Sequence, residues 1–342
     1  MTSGPRILVA GAGALGLATA LALARRGAQV TVDDPGSFAG NASGVAAGML
    51  APVFEAALDA LARPHFDLLT AARDLWPGFA AATGVQVVKA GAVAVGETAW
   101  LDETAERLRD LGAAFGRLQR VELEAAAPGL APQFQTGLST ADDWRIEAPA
   151  ALAVLRRAAV GLGVAFRPRA ATGLDGFDRL VVATGAAREL SGLAPELTRM
   201  TPIKGHILRA PGSLSVVVRS QGVYVAPAEG GLAIGASMEA GLEDRRIDAG
   251  QVGRLRAAAA RLFPALAKAP VTAAAGVRGA TPDGLPLAGP SVAAGVLIAA
   301  GARRNGWLLA PLVAEVVAAC ALERDPGPWA ARLAPGRFLS PG

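Results

Sequence analysis

The chain has 342 residues, 52% hydrophobic and 18% charged, a balance that supports a large buried core and excludes intrinsic disorder. Its net charge of +4 is spread without blocks of like charge and comes with a single tyrosine, so the clustered basic and aromatic footprint of a nucleic-acid surface is missing. One cysteine, Cys320, excludes a disulfide framework and a cysteine-rich metal site; two distant histidines, His65 and His206, do not suggest a zinc site; the composition fits a reducing, cytoplasmic compartment.

Residues 7–10 form a short apolar run of the kind that makes a strand buried on both faces. Gly11-Ala12-Gly13-Ala14-Leu15-Gly16 follows, then a helix predicted over 15–26 by Ala and Leu at helical spacing, stopped by Gly27. The three glycines break this apolar stretch and no cleavage site follows it, so it does not read as a signal peptide, and no run of about 20 unbroken apolar residues suggests a membrane span. Residues 30–32 are the next strand, ending in Asp33-Asp34. This is the dinucleotide fingerprint in its full context. The first glycine permits the tight turn, the second lets backbone approach a pyrophosphate, and the third lets helix and strand pack closely. The helix N-terminus then presents free N–H groups and partial positive charge to the phosphates. Asp33 or Asp34 can accept hydrogen bonds from ribose hydroxyls.

Residues 40–52 read as an ordered Gly/Ala/Ser loop running into a helix, and 64–82 as helix. Strands are predicted within 85–95, helices over 103–111, 121–127 and 148–162, and strands at 164–166 and 179–185. Residues 203–238 alternate with glycine turns, as an antiparallel sheet does. A helix over 249–263, a buried strand at 296–300 and a helix over 305–322 complete the chain. Parallel-sheet signals at the start, middle and end, with antiparallel signals between them, imply an α/β chain of two discontinuous domains. The first is a Rossmann-like dinucleotide-binding domain (1–80, 140–200 and 272–342), whose fingerprint by itself serves FAD or NAD. The second is an α+β substrate domain built on an antiparallel sheet (81–139 and 201–271).

From Ala42-Ser43-Gly44-Val45-Ala46-Ala47-Gly48-Met49-Leu50-Ala51-Pro52 onward the chain resembles the D-amino acid oxidase family of flavoproteins, and most of all its bacterial glycine oxidases of thiamine biosynthesis. The resemblance continues through residues 143–149, Ala183-Thr184-Gly185, residues 202–206, and the blocks 276–286 and 301–311. It implies that the Rossmann-like domain is an FAD-binding domain, with non-covalent FAD on Gly11, Ala12, Gly13, Ala14, Leu15, Gly16, Asp33, Asp34, Ser43, Ala46, Ala47, Gly48, Met49, Leu50, Val164, Thr184 and Gly185. It further implies that Arg278 and Arg304, with Asn305, Gly306, Trp307 and Leu308, stand at the flavin, the last turn facing its C2 carbonyl. Arg278 and Tyr224 would hold a substrate carboxylate, with Arg304 and Met238 beside the substrate. Departures from the family pattern stand at Ala228, Gly279, Ala302 and Arg303.

What the resemblance implies is oxidative deamination of glycine or another small amino acid: hydride transfer to FAD, an imine product, and reduction of molecular oxygen to peroxide. Two alternatives stay open: a dehydrogenase passing electrons to a quinone or protein, and a non-catalytic flavin-binding partner. A homo-oligomer is expected by the same resemblance. By residue type alone, Arg278 serves equally as a structural ion pair, Arg304 as a solvated helix-start residue, Tyr224 as half-buried core and Met238 as a gap filler.

Overall fold

The structure, a computed structural model, describes residues 4–36 and 40–338. A six-stranded sheet is built from β1 (Arg6–Ala10), β2 (Gln29–Asp33), β8 (Ala165–Arg167), β9 (Arg179–Val182), β16 (Leu287–Pro290) and β17 (Val296–Ala300), in the order β16-β17-β9-β1-β2-β8. All neighbours are parallel except β16, which runs antiparallel to β17. Ile7 to Ala10 are buried, as strands covered on both faces must be. Helix α1 (Ala14–Arg25) follows β1 directly and is buried along most of its length. Its alanines let it pack closely in one core with α10 (Gly306–Ala321) and α8 (Ala148–Gly161).

The second, nine-stranded sheet holds β4 (Ala92–Ala94), β5 (Gly116–Gln119), β6 (Thr136–Thr140), β10 (Thr201–Ala210), β11 (Val217–Ser220), β12 (Val223–Ala228), β13 (Gly231–Gly235), β14 (Glu239–Ala240) and β15 (Thr272–Ala280). It is antiparallel except for the β4–β11 pair. β15 pairs with β10 over nine residues and so lies in this sheet, although its sequence suggested the FAD-binding portion. Helix α9 (Ala249–Leu262) packs on the sheet, its N-terminus capped by Asp248 through Gln251 N–H. A two-stranded ribbon, β3 (Met49–Leu50) with β7 (Trp144–Arg145), lies beyond either sheet. It leads into α3 (Pro52–Leu58), whose first N–H groups, at Val53 and Phe54, are accepted by buried Asp143 at 2.8 and 3.1 Å.

Two predicted elements come out differently. The helix over 64–82 is split into α4 (Phe66–Asp74) and α5 (Trp76–Thr83), because Pro77 cannot donate into a continuous helix. Within 85–95 only β4 forms, preceded by a single bridge from Val88 to Arg145. Gly91 between them has φ +78 and turns the chain against Thr140.

Candidate active site

The carboxyl ends of β1, β2 and β9 meet at the glycine turn. Gly11 has φ +112, and a Cβ there would stand 2.9 Å from the Ala183 carbonyl carbon; one on Gly16 would stand 3.0 Å from the Gly11 carbonyl carbon. Glycine is therefore demanded at both positions by backbone against backbone. Ala12 and Ala14 are buried beside the turn, and Leu15 packs against the same core. The Ser43 hydroxyl accepts the Ala14 N–H at 3.0 Å, which brings the segment 42–45 against the start of α1. The Trp307 indole donates to Ser43 O at 3.0 Å, which adds the start of α10 to the same junction. Thr184 and Gly185 (φ +69) follow β9 at this edge.

The two candidate ribose acids separate. Asp33 is buried and bound through both oxygens by Arg167, at 2.6 and 2.9 Å, with Arg169 at 3.3 Å. Asp34 reaches back over the turn instead, accepting the Ala12 N–H at 2.6 Å and the Gly36 N–H at 2.7 Å. The structure does not bring Val164 to this edge. It precedes β8 at the end remote from Arg167, is buried, and donates its N–H to Ala159 O at 3.0 Å.

A cavity of about 290 Å³ opens between the segment 46–51, the start of α10 and one face of the nine-stranded sheet. It is lined by Ala46, Ala47, Gly48 and Met49 on one side and by Arg304, Asn305 and Trp307 on another. All four residues implicated by the resemblance in substrate contact, Arg278, Tyr224, Arg304 and Met238, line it. Leu50 and Leu308 sit behind these walls in the core, with no exposure.

The floor of the cavity is one row of the sheet, Arg219, Tyr224, Gly235 and Ile207, which pair across successive strands β11, β12, β13 and β10. Two glycines make its shape. A Cβ on Gly235 would stand 2.5 Å from Tyr224 Cζ, so the phenol lies flat over β13. A Cβ on Gly205 would stand 2.7 Å from Arg278 Cζ, so the guanidinium lies flat over β10. The departure at Gly279 has the same origin: a Cβ there would come 2.7 Å from Gly185 O.

Arg278 has no carboxylate partner among the described residues; its Nη1 reaches only Ser237 O and the Met238 sulfur, both at 3.5 Å. Burial, and then the charges of Arg304 and Arg303, lower its pKa, the mark of a cation without its counter-charge. Burial pushes the Tyr224 phenol above its ordinary value despite the surrounding arginines, so it stays a neutral donor, and its hydroxyl makes no hydrogen bond to a described residue. Arg304 is different. It binds Glu55 at 3.1 Å and Asp59 at 3.2 Å, and chiefly the Glu55 charge raises its pKa. Arg303, at φ +50, pairs with Asp59 as well. Burial pushes the Asp59 carboxyl up, but the Arg303 hydrogen bond and the Arg303 and Arg304 charges more than reverse this and hold it below its ordinary value. Met238 is partly exposed at the cavity mouth.

Arg219, Glu55, Gly205 and Gly235 are site residues that sequence reasoning missed. Arg219 and Glu55 are both 4% exposed and line the cavity. The available signal was an arginine and a glutamate within otherwise apolar stretches, Val216-Val217-Val218-Arg219 and Pro52-Val53-Phe54-Glu55. His206 and His65 stand apart from the cavity. The His206 ring is buried, lying 3.0 Å from Ser237 Oγ and accepting the Asp248 N–H, and His65 lies against Arg332 and Asp283. Cys320 lies at the far end of α10, about 21 Å of helix rise from Gly306, too distant for a thioether to a flavin at the cavity. Among the described residues no cluster of His, Cys, Asp or Glu is arranged to hold a metal ion, and no helix is long and apolar enough to cross a membrane.

The family described as FAD dependent oxidoreductase (DAO) matches residues 6–320. The chain belongs to this family. Among its relatives, glycine oxidase of Geobacillus kaustophilus (strain HTA426) is 31% identical, the alignment covering 93% of each chain. The putative thiamine biosynthesis oxidoreductase ThiO of Rhizobium etli is 33% identical over 92% of this chain and 95% of its own. The crystal structure of glycine oxidase from Geobacillus kaustophilus superposes with a TM-score of 0.84 at 28% identity, covering 98% of this chain and all of the other. This member of the FAD-dependent oxidoreductases therefore uses FAD, and the residues at the turn fit it. Gly11 and Gly16 leave a cradle that a Cβ would fill, Asp34 offers carboxylate oxygens beside it, and the starts of α1 and α10 converge there.

Proposed function

We propose that the protein is a glycine oxidase-type enzyme that deaminates glycine or another small amino acid, giving an imine that water hydrolyses to the oxo acid and ammonia, while molecular oxygen becomes hydrogen peroxide. The observation that carries this reading is Arg278: a half-buried guanidinium without a carboxylate among the described residues, lying flat on a cavity floor beside a neutral, unbonded phenol. A planar fork of donors is matched by a substrate carboxylate held through two parallel N–H···O bonds. The Tyr224 hydroxyl then donates a third. The wall 46–49 together with Trp307 excludes water from the opposite side. Glu55 is engaged by Arg304, so no lining carboxylate is free as a base, and the ammonium leaves its proton to water before the amine is buried. Bound FAD supplies the two-electron acceptor. Residues 11–16, Asp34, Ser43 and Thr184 would hold its diphosphate and ribose, and Asn305 and Gly306 its ring end.

On the same reading the nine-stranded sheet, with residues 81–139 and 201–280, is the substrate-facing portion and the remainder binds FAD. The protein works in the cytoplasm as a homo-oligomer, which sedimentation of the holoenzyme tests. Anaerobic titration with glycine, sarcosine, D-alanine and D-proline tests the reaction. Glycine bleaches the flavin, and air restores the colour with stoichiometric peroxide. Reduced flavin that persists in air points to a dehydrogenase instead, and absence of bleaching by every amino acid overturns the proposal.

A further inference from the structure

The features that single out Arg278 recur at Arg219. It is 4% exposed, lines the same cavity, and pairs across strands with Tyr224 on the same sheet face. Of its five N–H donors, one reaches the Met49 sulfur at 3.4 Å, and Nη1 stands 3.5 Å from Glu55 Oε2. Its Nε is buried without a hydrogen-bond partner, as is Glu55 Oε1. Glu55 Oε2 lies closer to Arg304, at 3.1 Å, and Asp59 binds Arg303 and Arg304. Asp143 faces Arg219 from behind, but its oxygens already accept the Val53 and Phe54 N–H groups. Among the cavity-lining arginines, Arg278 therefore has no carboxylate among the described residues, and Arg219 has only a share of Glu55 Oε2, at 3.5 Å, which Arg304 holds more closely. A buried cation in that condition is costly unless a ligand completes it.

We propose, resting on the amino acid oxidation argued above, that Arg219 is a second anion subsite and that the preferred substrate is an aminodicarboxylate. One carboxylate sits on Arg278 and Tyr224, the other on Arg219, with the amine between them. Arg278 lies over β10, and Arg219 rises from β11, three strand positions away, about 14 Å at ordinary strand spacing. The Arg219 side chain reaches Met49 and Glu55 in the cavity wall. A secondary amine flanked by two short acid arms bridges the two guanidiniums. A single carboxylate leaves Arg219 unanswered.

The test uses the holoenzyme and two unreactive probes: diglycolate, a diacid with ether oxygen in place of the amine, and methoxyacetate, which lacks the second carboxylate. Dissociation constants are read from the perturbation of the flavin spectrum. Diglycolate binds at least tenfold tighter than methoxyacetate, and the ratio falls towards one in Arg219→Met. Glu55→Gln removes the carboxylate that competes for Arg219 and widens the ratio, a gain that misfolding does not mimic. Equal affinities in the unmodified enzyme, or a diacid advantage that survives Arg219→Met, overturn the proposal. Turnover separates it from the reading beneath it. If glycine bleaches the flavin but iminodiacetate has no tenfold advantage in kcat/KM over N-ethylglycine, the second subsite falls and amino acid oxidation stands. If no amino acid bleaches it while the diglycolate advantage holds, the subsite stands and the oxidation falls.

Discussion

Replacing Gly205 by alanine isolates the role of Arg278 without touching Arg278. The new Cβ would stand 2.7 Å from Arg278 Cζ and 2.6 Å from Nη2, where carbon contacts ordinarily settle near 3.5–4.0 Å. The obstacle is the far end of a flexible side chain, so the guanidinium moves by about 1 Å and the sheet holds. Strand β10 gains a residue better suited to extended structure than glycine, so the fold is retained. What is lost is the two-point grip on a carboxylate, and losing one partner of a buried hydrogen-bonded charge pair costs about 2–4 kcal/mol. That corresponds to a fall of roughly 30- to 1000-fold in kcat/KM for glycine. Steady-state kinetics, FAD content and melting temperature are measured together, with Arg278→Met setting the lower limit of activity. A Gly205→Ala enzyme with full FAD, unchanged melting and unchanged KM would refute the assignment of Arg278 as carboxylate ligand.

Gly11→Ala forces a Cβ against the Ala183 backbone at φ +112, where neither side can yield. The purified variant emerges from gel filtration with its ratio of flavin to protein absorbance close to zero. The two neighbouring acids part company in a pair of variants. Asp34→Ala weakens FAD binding at least tenfold by equilibrium dialysis, and the loss of its bonds from the Ala12 and Gly36 N–H groups lowers apoprotein stability by only about 1–2 kcal/mol. Asp33→Ala strips Arg167 of its buried partner and lowers stability by about 3 kcal/mol in urea unfolding. Burial pushes the Asp143 carboxyl up to about 6, against the Arg219 charge and two backbone N–H bonds. Between pH 4 and 6 the folded protein therefore holds a proton that the unfolded chain has released, and this group's contribution to stability falls as pH rises through that window. Asp143→Asn removes the slope: the difference in unfolding free energy between variant and unmodified protein moves by about 3 kcal/mol in the variant's favour from pH 4 to pH 7. A difference that is flat across that range refutes the burial argument.

The dinucleotide half was legible in the chain because its signals are local. Strand, glycine turn, helix and second strand lie within 34 consecutive residues, and Gly11 and Gly16 answer constraints set by the adjoining strand's end and by the turn itself. The antiparallel character of 203–238 was legible for the same reason, since alternation and glycine turns are short-range patterns. β15 was not, because Thr272-Ala273-Ala274-Ala275-Gly276 carries little strand propensity and is ordered by pairing with β10 across some seventy residues. The resemblance named Arg278 and Tyr224, but residue type could not say whether either had a partner. Only the packing of Gly205 and Gly235 beneath them, and the pairing of Glu55 and Asp59 with other arginines, answered that. The same holds for Asp33 and Asp34, equivalent as letters and separated once Arg167 arrives beside β2 on the neighbouring strand. The sequence by itself determined where a dinucleotide meets the backbone, because that contact is made by residues adjacent in the chain. Tertiary structure alone decided which charges face the cavity unpaired, because each charge balance joins side chains from four or five separated segments.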